Sequence, residues 1–410
     1  MFRVIVICRY LLLIPVLICH FTLANAQYFA LAGHQKKARL RFQMVRDLII
    51  IPLYINQKGP FNFVLDSGVG LMIITDPKLV DSIDVNTKRT LKLYGAGNAI
   101  SYEAYATSAL DIVIPGGLVG RYVSAAIFKE DHFGLSNYTG MPIHGLLGYE
   151  FFSQLAVKLN FSDSTLIAAD PGSFKPFKRG VELPISIEER KPYIKTNIMM
   201  PDGCLAEHKF IVDLGATHPL SLNNKDFHSE SVQKSIVANI GMGLTGPVVG
   251  VLSRINEIDL GKYMFKDVIT SFPDANIHVG YIVPRDGNLG LGLLKRFNMV
   301  VDYSKGKMYL KANYRFKEPF EHDMTGLEYY AGGDDLKRVI ISRVEPGSAG
   351  EEAGFKENDE ITAINLKSIS QLGIMDVDRM FRSKAERSLI IEYRRKETFY
   401  STIITLKRRI

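Results

Sequence analysis

Gly148-Tyr149-Glu150-Phe151-Phe152-Ser153-Gln154-Leu155-Ala156-Val157-Lys158-Leu159-Asn160-Phe161 matches, without a gap, Gly290-Leu291-Gly292-Leu293-Leu294-Lys295-Arg296-Phe297-Asn298-Met299-Val300-Val301-Asp302-Tyr303. Apolar residues coincide at nearly every inward step. Each copy starts with a glycine after an apolar residue and passes through a short helical turn. It then ends in an alternating strand closed by a turn, at Ser162-Asp163 in one copy and Ser304-Lys305-Gly306 in the other. A repeat of this length organises the whole chain.

Working outward, the residues before each copy also correspond. Phe61-Asn62-Phe63-Val64-Leu65 is a short apolar strand running into Asp66-Ser67-Gly68, and Lys209-Phe210-Ile211-Val212 runs in the same manner into Asp213-Leu214-Gly215. Gly95-Ala96-Gly97 follows 29 residues after Asp66, and Gly241-Met242-Gly243 follows 28 residues after Asp213. Both read as glycine-bearing hairpin tips. The chain therefore contains a duplicated, mostly β unit over about 44–170 and 181–312, joined by a linker from Pro171-Gly172-Ser173 to Arg179-Gly180. Two β domains with a common core pattern and no chemistry would also repeat. What counts against that reading is the aspartate: a carboxylate at the end of a buried strand is costly unless hydrogen-bonded or functional, and both copies carry one at the same point. The glycine two positions later permits a tight turn that lets each carboxylate face its twin.

These ordered motifs resemble the pepsin and retropepsin clan of aspartic peptidases, in which each lobe carries D-[ST]-G and later an apolar-apolar-Gly segment supporting the catalytic turn. The supporting segments here are Leu146-Leu147-Gly148 and, less typically, Asn288-Leu289-Gly290, and Tyr94-Gly95-Ala96-Gly97 is similar to the family's tyrosine-bearing flap tip. The resemblance covers about residues 44–312. It implies a mainly β fold of two pepsin/retropepsin-like β-barrel lobes, a catalytic pair Asp66 and Asp213, turn support from Ser67, Gly68 and Gly215, and flap or substrate contacts from Tyr94, Gly95, Gly97, Gly241 and Gly243. It also implies peptide-bond hydrolysis by a water held between two carboxyls that share one proton, with no metal and no cofactor. The sequence departs from the family at Leu214, where the family has a threonine or serine whose hydroxyl crosses to backbone beneath the dyad. Packing offsets that loss, or the enzyme is slow, or the second lobe is catalytically retired and the chain is a peptide-binding protein on a protease scaffold.

Other chemistries find little support. H-E-x-x-H, clustered Cys/His metal spacings, G-x-S-x-G and the P-loop are absent from the sequence. His144 and His218 lie near the aspartate motifs but read as surface or hydrogen-bonding residues, and Cys204, after Gly203 in a turn, reads as an inert small residue.

The first 26 residues read as a secretory signal: Arg3 and Arg9 precede the apolar run Tyr10 to Leu23, and Ala24-Asn25-Ala26 is an A-x-A cleavage site. A retained membrane anchor is the rival reading, disfavoured by the short charge-free run and the A-x-A; Ile18 before Cys19 disfavours a lipobox. The expectation is an exported protein, periplasmic or extracellular, with no stable membrane span in the mature chain. Of the three cysteines, Cys8 and Cys19 leave with the signal, so Cys204 has no internal partner. At 410 residues, with 47% apolar and 23% charged composition, the chain has enough apolar surface for two or three folded domains. Removing Arg3 and Arg9 lowers the formal charge from +7 to +5, and the basic residues are dispersed, which argues against nucleic acid as a partner. Both lobes lie in one chain, so a monomer can be complete, and the sequence leaves the oligomeric state open.

After Tyr314 the character changes. The run from Val344-Glu345-Pro346-Gly347-Ser348 through Ala353-Gly354-Phe355 to Asn358-Asp359-Glu360-Ile361 and Ile364-Asn365 resembles the core of bacterial PDZ domains, with Asn358 where glycine is usual. The resemblance implies four parts in order: a signal peptide over 1–26, lobes over 27–170 and 181–312, and a PDZ-like domain over 326–410. PDZ domains add an extended peptide to a sheet edge beside a helix. By that likeness Gly326, Leu327 and Tyr329 lie at the peptide site, Met375 to Phe381 form the groove helix, and the partner is a peptide or unfolded protein. Glu328 replaces a small residue of the usual carboxylate loop, and a purely structural domain packed on the lobes is the alternative.

Overall fold

The computed structural model describes residues 28–83, 85, 89–93, 101–223, 234–243, 246–274 and 282–410. The expected signal peptide and the expected flap residues Tyr94, Gly95 and Gly97 lie outside the described residues. The chain is mainly β, as its sequence pattern indicates.

In the first lobe the strand Lys58–Leu65 pairs antiparallel with Leu48–Ile55 on one side and parallel with Gly145–Leu147 on the other. Its last residues, Phe63, Val64 and Leu65, are all buried, because a strand flanked on both edges and covered on both faces needs a continuous apolar run. The second lobe repeats the device. Leu205–Asp213 pairs antiparallel with Lys191–Met199 and parallel with Gly287–Gly290, and Phe210, Ile211 and Val212 are buried in turn. In both lobes a further short strand, Met72–Ile74 or Leu220–Leu222, closes the other edge of the support strand. Each aspartate thus sits at the end of a strand held from both sides.

The repeated segments meet in a third sheet shared by the two lobes. Its order is Val181–Pro184, Lys307–Ala312, Phe297–Asp302, Ala156–Asn160, Thr165–Ala169 and Lys37–Arg41. The central pair is antiparallel, with Ala156 opposite Asp302 and Leu159 opposite Met299, so the two copies face each other about an approximate twofold axis. One apolar cluster runs through both lobes and this sheet, from Phe29 through Leu159 and Leu214 to Leu310. The lobes are therefore one folded body on a shared floor.

The C-terminal unit has its own apolar cluster, from Met324 to Leu406, and its own sheet, in which Leu327–Gly332 is the terminal strand. Asn358 adopts φ of 69°, so asparagine occupies the left-handed position where glycine is usual. Phe320 and Ile410 belong to the apolar cluster of the two lobes, and Arg254 donates to the carbonyls of both, at 2.9 and 3.3 Å. The chain end is thereby returned to the second lobe. Among the described residues, no helix is long and apolar enough to cross a membrane.

Candidate active site

The strand ends place two equivalent turns opposite each other. The Asp66 N–H donates to the Leu147 carbonyl at 2.9 Å, which ties the turn to its support strand. Asp66 Oδ1 accepts from the Gly68 N–H at 2.7 Å, and Asp213 Oδ1 accepts from the Gly215 N–H at 3.0 Å, so each turn folds back on its own carboxylate. The glycines also make the approach between lobes possible. A Cβ on Gly68 would stand 2.7 Å from Asp213 Oδ1, and one on Gly215 would overlap the Asp66 carboxyl. Each turn is thus packed against the other lobe's carboxylate, and the two carboxyls come within hydrogen-bonding reach of each other.

Ser67 spans the interface beneath them. Its buried hydroxyl donates to the Val212 carbonyl at 2.6 Å and accepts from the Leu214 N–H at 2.9 Å, so both of its hydrogen-bonding roles are satisfied by the second lobe. The mirrored position has no hydroxyl. Leu214 is fully buried in the core, where its side chain fills apolar space.

Asn288 is the contact that the motif comparison missed. Its Nδ2 donates to Asp213 Oδ2 at 2.9 Å, so the second aspartate receives an amide donor that its counterpart in the first lobe, Leu146 at the matching step of the support strand, has no means to supply. The sequence signal was present as an irregularity, an asparagine where the resemblance leads to an apolar residue. Lys191 was missed outright, because it belongs to no repeated motif, and Tyr303, which closes the second copy of the repeat opposite Phe161, read only as part of the core pattern.

The electrostatics follow from this asymmetry. Burial, and then the negative field of Asp213, push the Asp66 carboxyl up to about 8 from an ordinary 3.8, with the Gly68 N–H opposing. Burial lowers the pKa of Lys191, Arg285 lowers it further, and the fields of Asp213 and Asp66 hold it up. Tyr303, buried in the shared floor, is raised well above the usual phenol range by burial and by both aspartates. His218 has a buried Nε2 without a hydrogen-bond partner among the described residues, and burial lowers its pKa against the pull of Asp213. His144 instead steadies the backbone, its Nδ1 accepting from the Asn62 N–H at 3.1 Å.

The remaining expected residues are distributed as follows. Gly241 and Gly243 lie on a hairpin arm, Ile236–Gly243, that pairs with Gly246–Leu260, and Gly241 takes φ of 146° at a bulge. Gly326, at φ of 70°, packs against Ser348 at the start of the C-terminal unit's edge strand. Leu327 and Tyr329 are buried, and the Tyr329 hydroxyl donates to Asp378 of the helix Ile374–Phe381. The strand and the helix expected to flank a peptide are thus joined to each other through that hydrogen bond. The Glu328 carboxylate is engaged by Arg343 at 2.8 Å.

Comparison with protein families places these features. Residues 51–151 match the family described as aspartyl protease, a span that contains Asp66-Ser67-Gly68 and Leu146-Leu147-Gly148. Residues 340–395 match the family described as PDZ domain. The chain carries an aspartyl protease domain followed by a PDZ domain.

Proposed function

We propose that this chain is an aspartic endopeptidase, exported from the cytoplasm, that hydrolyses peptide bonds with a water activated between Asp66 and Asp213. The observation that carries the reading is the reciprocal packing of each Asp-x-Gly turn on the other lobe's carboxyl. Two carboxyls so close cannot both ionise at low cost, so they share one proton. The asymmetry of their partners supports one placement of that proton. Asp66, raised by burial and by the field of Asp213, is the member that holds the proton, and Asp213 accepts hydrogen bonds from both Gly215 and Asn288.

The reaction then needs no covalent intermediate. The water oxygen attacks the scissile carbonyl carbon as one water proton passes to Asp213, while the Asp66 proton passes to the carbonyl oxygen. A tetrahedral diol results. Its C–N bond breaks as the proton held by Asp213 moves to the departing amine, and a diol hydroxyl returns its proton to Asp66. Substrates are peptides or unfolded segments, with the PDZ domain as the second peptide-binding element. The test is hydrolysis of unstructured peptides across pH, with and without a statine-type analogue of the tetrahedral diol. Hydrolysis blocked by that analogue supports the reading, and wild-type protein inactive on every peptide at every pH refutes it.

A further inference from the structure

The groove of the PDZ domain lies between the terminal strand Leu327–Gly332 and the helix Ile374–Phe381, and a bound peptide adds there as one more strand. The outward carbonyls such a peptide would use are already taken. Asn137 Nδ2 donates to the Ala331 carbonyl at 2.8 Å, and Arg46 donates to the Tyr329 carbonyl at 3.4 Å. Both donors come from the first protease lobe. Arg46 also makes a two-pronged pair with Asp378 of the groove helix, Nε to Oδ2 and Nη2 to Oδ1, each at 3.0 Å. The pair is buried, with side-chain exposures of 9% and 15%, and the guanidinium lies against the rings of Tyr138 and Tyr329. At the groove's mouth, Gly140 lies against Ile374 and Ala331, and a Cβ there would stand 3.2 Å from the Ile374 side chain.

We propose that this groove is closed by the protease domain of the same chain, and that an extended peptide carrying an arginine or lysine opens it by replacing Arg46 and Asn137. The inference rests on the PDZ groove as a peptide site, but not on catalysis. The partner's chemistry follows from what it must replace: backbone N–H groups for the carbonyls of Tyr329 and Ala331, and a cation for Asp378. The displaced groups are tied to the catalytic turns. The helix Leu135–Thr139 continues through Gly140 into Gly145–Leu147, whose Leu147 carbonyl receives the Asp66 N–H. Asp47, next to Arg46 in the same turn, binds Lys295 of the second lobe at 2.6 Å. A peptide in the groove and the position of these lobe elements are thus linked equilibria, each biasing the other.

The test uses the full chain with Asp66→Asn, so that no probe is cleaved. The probe is a fluorescent nonapeptide alternating valine and serine around one central arginine. Adding Arg46→Ala and Asn137→Ala should tighten its binding by about tenfold or more, since the open groove is then the main population. Hydrogen exchange should quicken over 135–140 and 327–332 in the same protein, and replacing the probe's arginine by alanine should weaken binding. Where that double substitution fails to fold, Asp378→Asn is the milder variant, and it should still quicken exchange over 135–140. Equal probe affinity with and without the two substitutions overturns the closure, as does unchanged exchange. No binding by either protein overturns the basic peptide as the ligand. A failure of the proposed hydrolysis would leave these readouts unaffected.

Discussion

At the scale of single residues, the asymmetry between the two aspartates governs the expected chemistry. A hydrogen bond to a charged group contributes about 1.5 to 3 kcal/mol, and each pKa unit corresponds to about 1.4 kcal/mol. Asn288→Leu should therefore move the acid limb of the activity profile upward by about one to two pH units, with the alkaline limb little changed. An unshifted acid limb would remove Asn288 from the assignment of the proton. Asp66 carries a separate consequence for stability. Its folded-state pKa is raised from 3.8 to about 8, so within that window the folded chain holds more protons than the unfolded one and stability falls as pH rises. Asp66→Asn should abolish this penalty. Its thermal midpoint should exceed that of the wild type at pH 8 and converge with it near pH 4, as measured by calorimetry. Leu214 presents the opposite case, a side chain fully enclosed by apolar neighbours. Leu214→Thr should cost about 1 to 3 kcal/mol in chemical denaturation without faster hydrolysis, because the new hydroxyl enters an apolar site and contacts are lost. A faster enzyme of undiminished stability would mean that the turn is short of a hydrogen bond there.

At the scale of elements, the two turns and their support strands act as one device. Gly215→Ala should lower turnover by about a hundredfold or more, since a 1 Å misplacement of reacting groups costs on that order, and its circular dichroism should remain that of the wild type. The added methyl would meet the Asp66 carboxyl, whereas the core beneath is untouched. Normal turnover would show that the turns are farther apart than described. This level was the most legible in the sequence, for a physical reason. Strands buried on both faces must be apolar throughout, and turns in close contact must be glycine, so Phe61 to Gly68 and Lys209 to Gly215 stand out as a pair. Asn288 was half legible, as an irregularity in an apolar motif. Lys191 was not legible at all, because its place beside the aspartates comes from the pairing of Lys191–Met199 with Leu205–Asp213, a register that no local pattern encodes.

At the scale of the whole molecule, three units meet around one turn. Arg46 holds the PDZ helix and Asp47 holds the second lobe, while the strand that follows them, Leu48–Ile55, pairs with the strand leading into Asp66. The PDZ likeness in the sequence pointed to Leu327 to Tyr329 and the helix near Met375 as the parts of a groove. It gave no hint that Arg46 and Asn137, far earlier in the chain, bond to that strand and helix, because contacts between domains leave no periodicity in either. The proposed mechanism makes a sharper demand: a proton shared between Asp66 and Asp213 requires a carboxyl from each lobe. The most direct measurement is therefore the pH profile of kcat/KM for one unstructured peptide, taken with the wild type, Asp66→Asn and Asp213→Asn side by side. The account predicts a bell-shaped profile for the wild type. For both variants it predicts losses of about a hundredfold to ten-thousandfold at every pH, with folding retained. Hydrolysis that survives Asp213→Asn, or that is lost only with Asp66→Asn, would contradict a dyad built from both lobes.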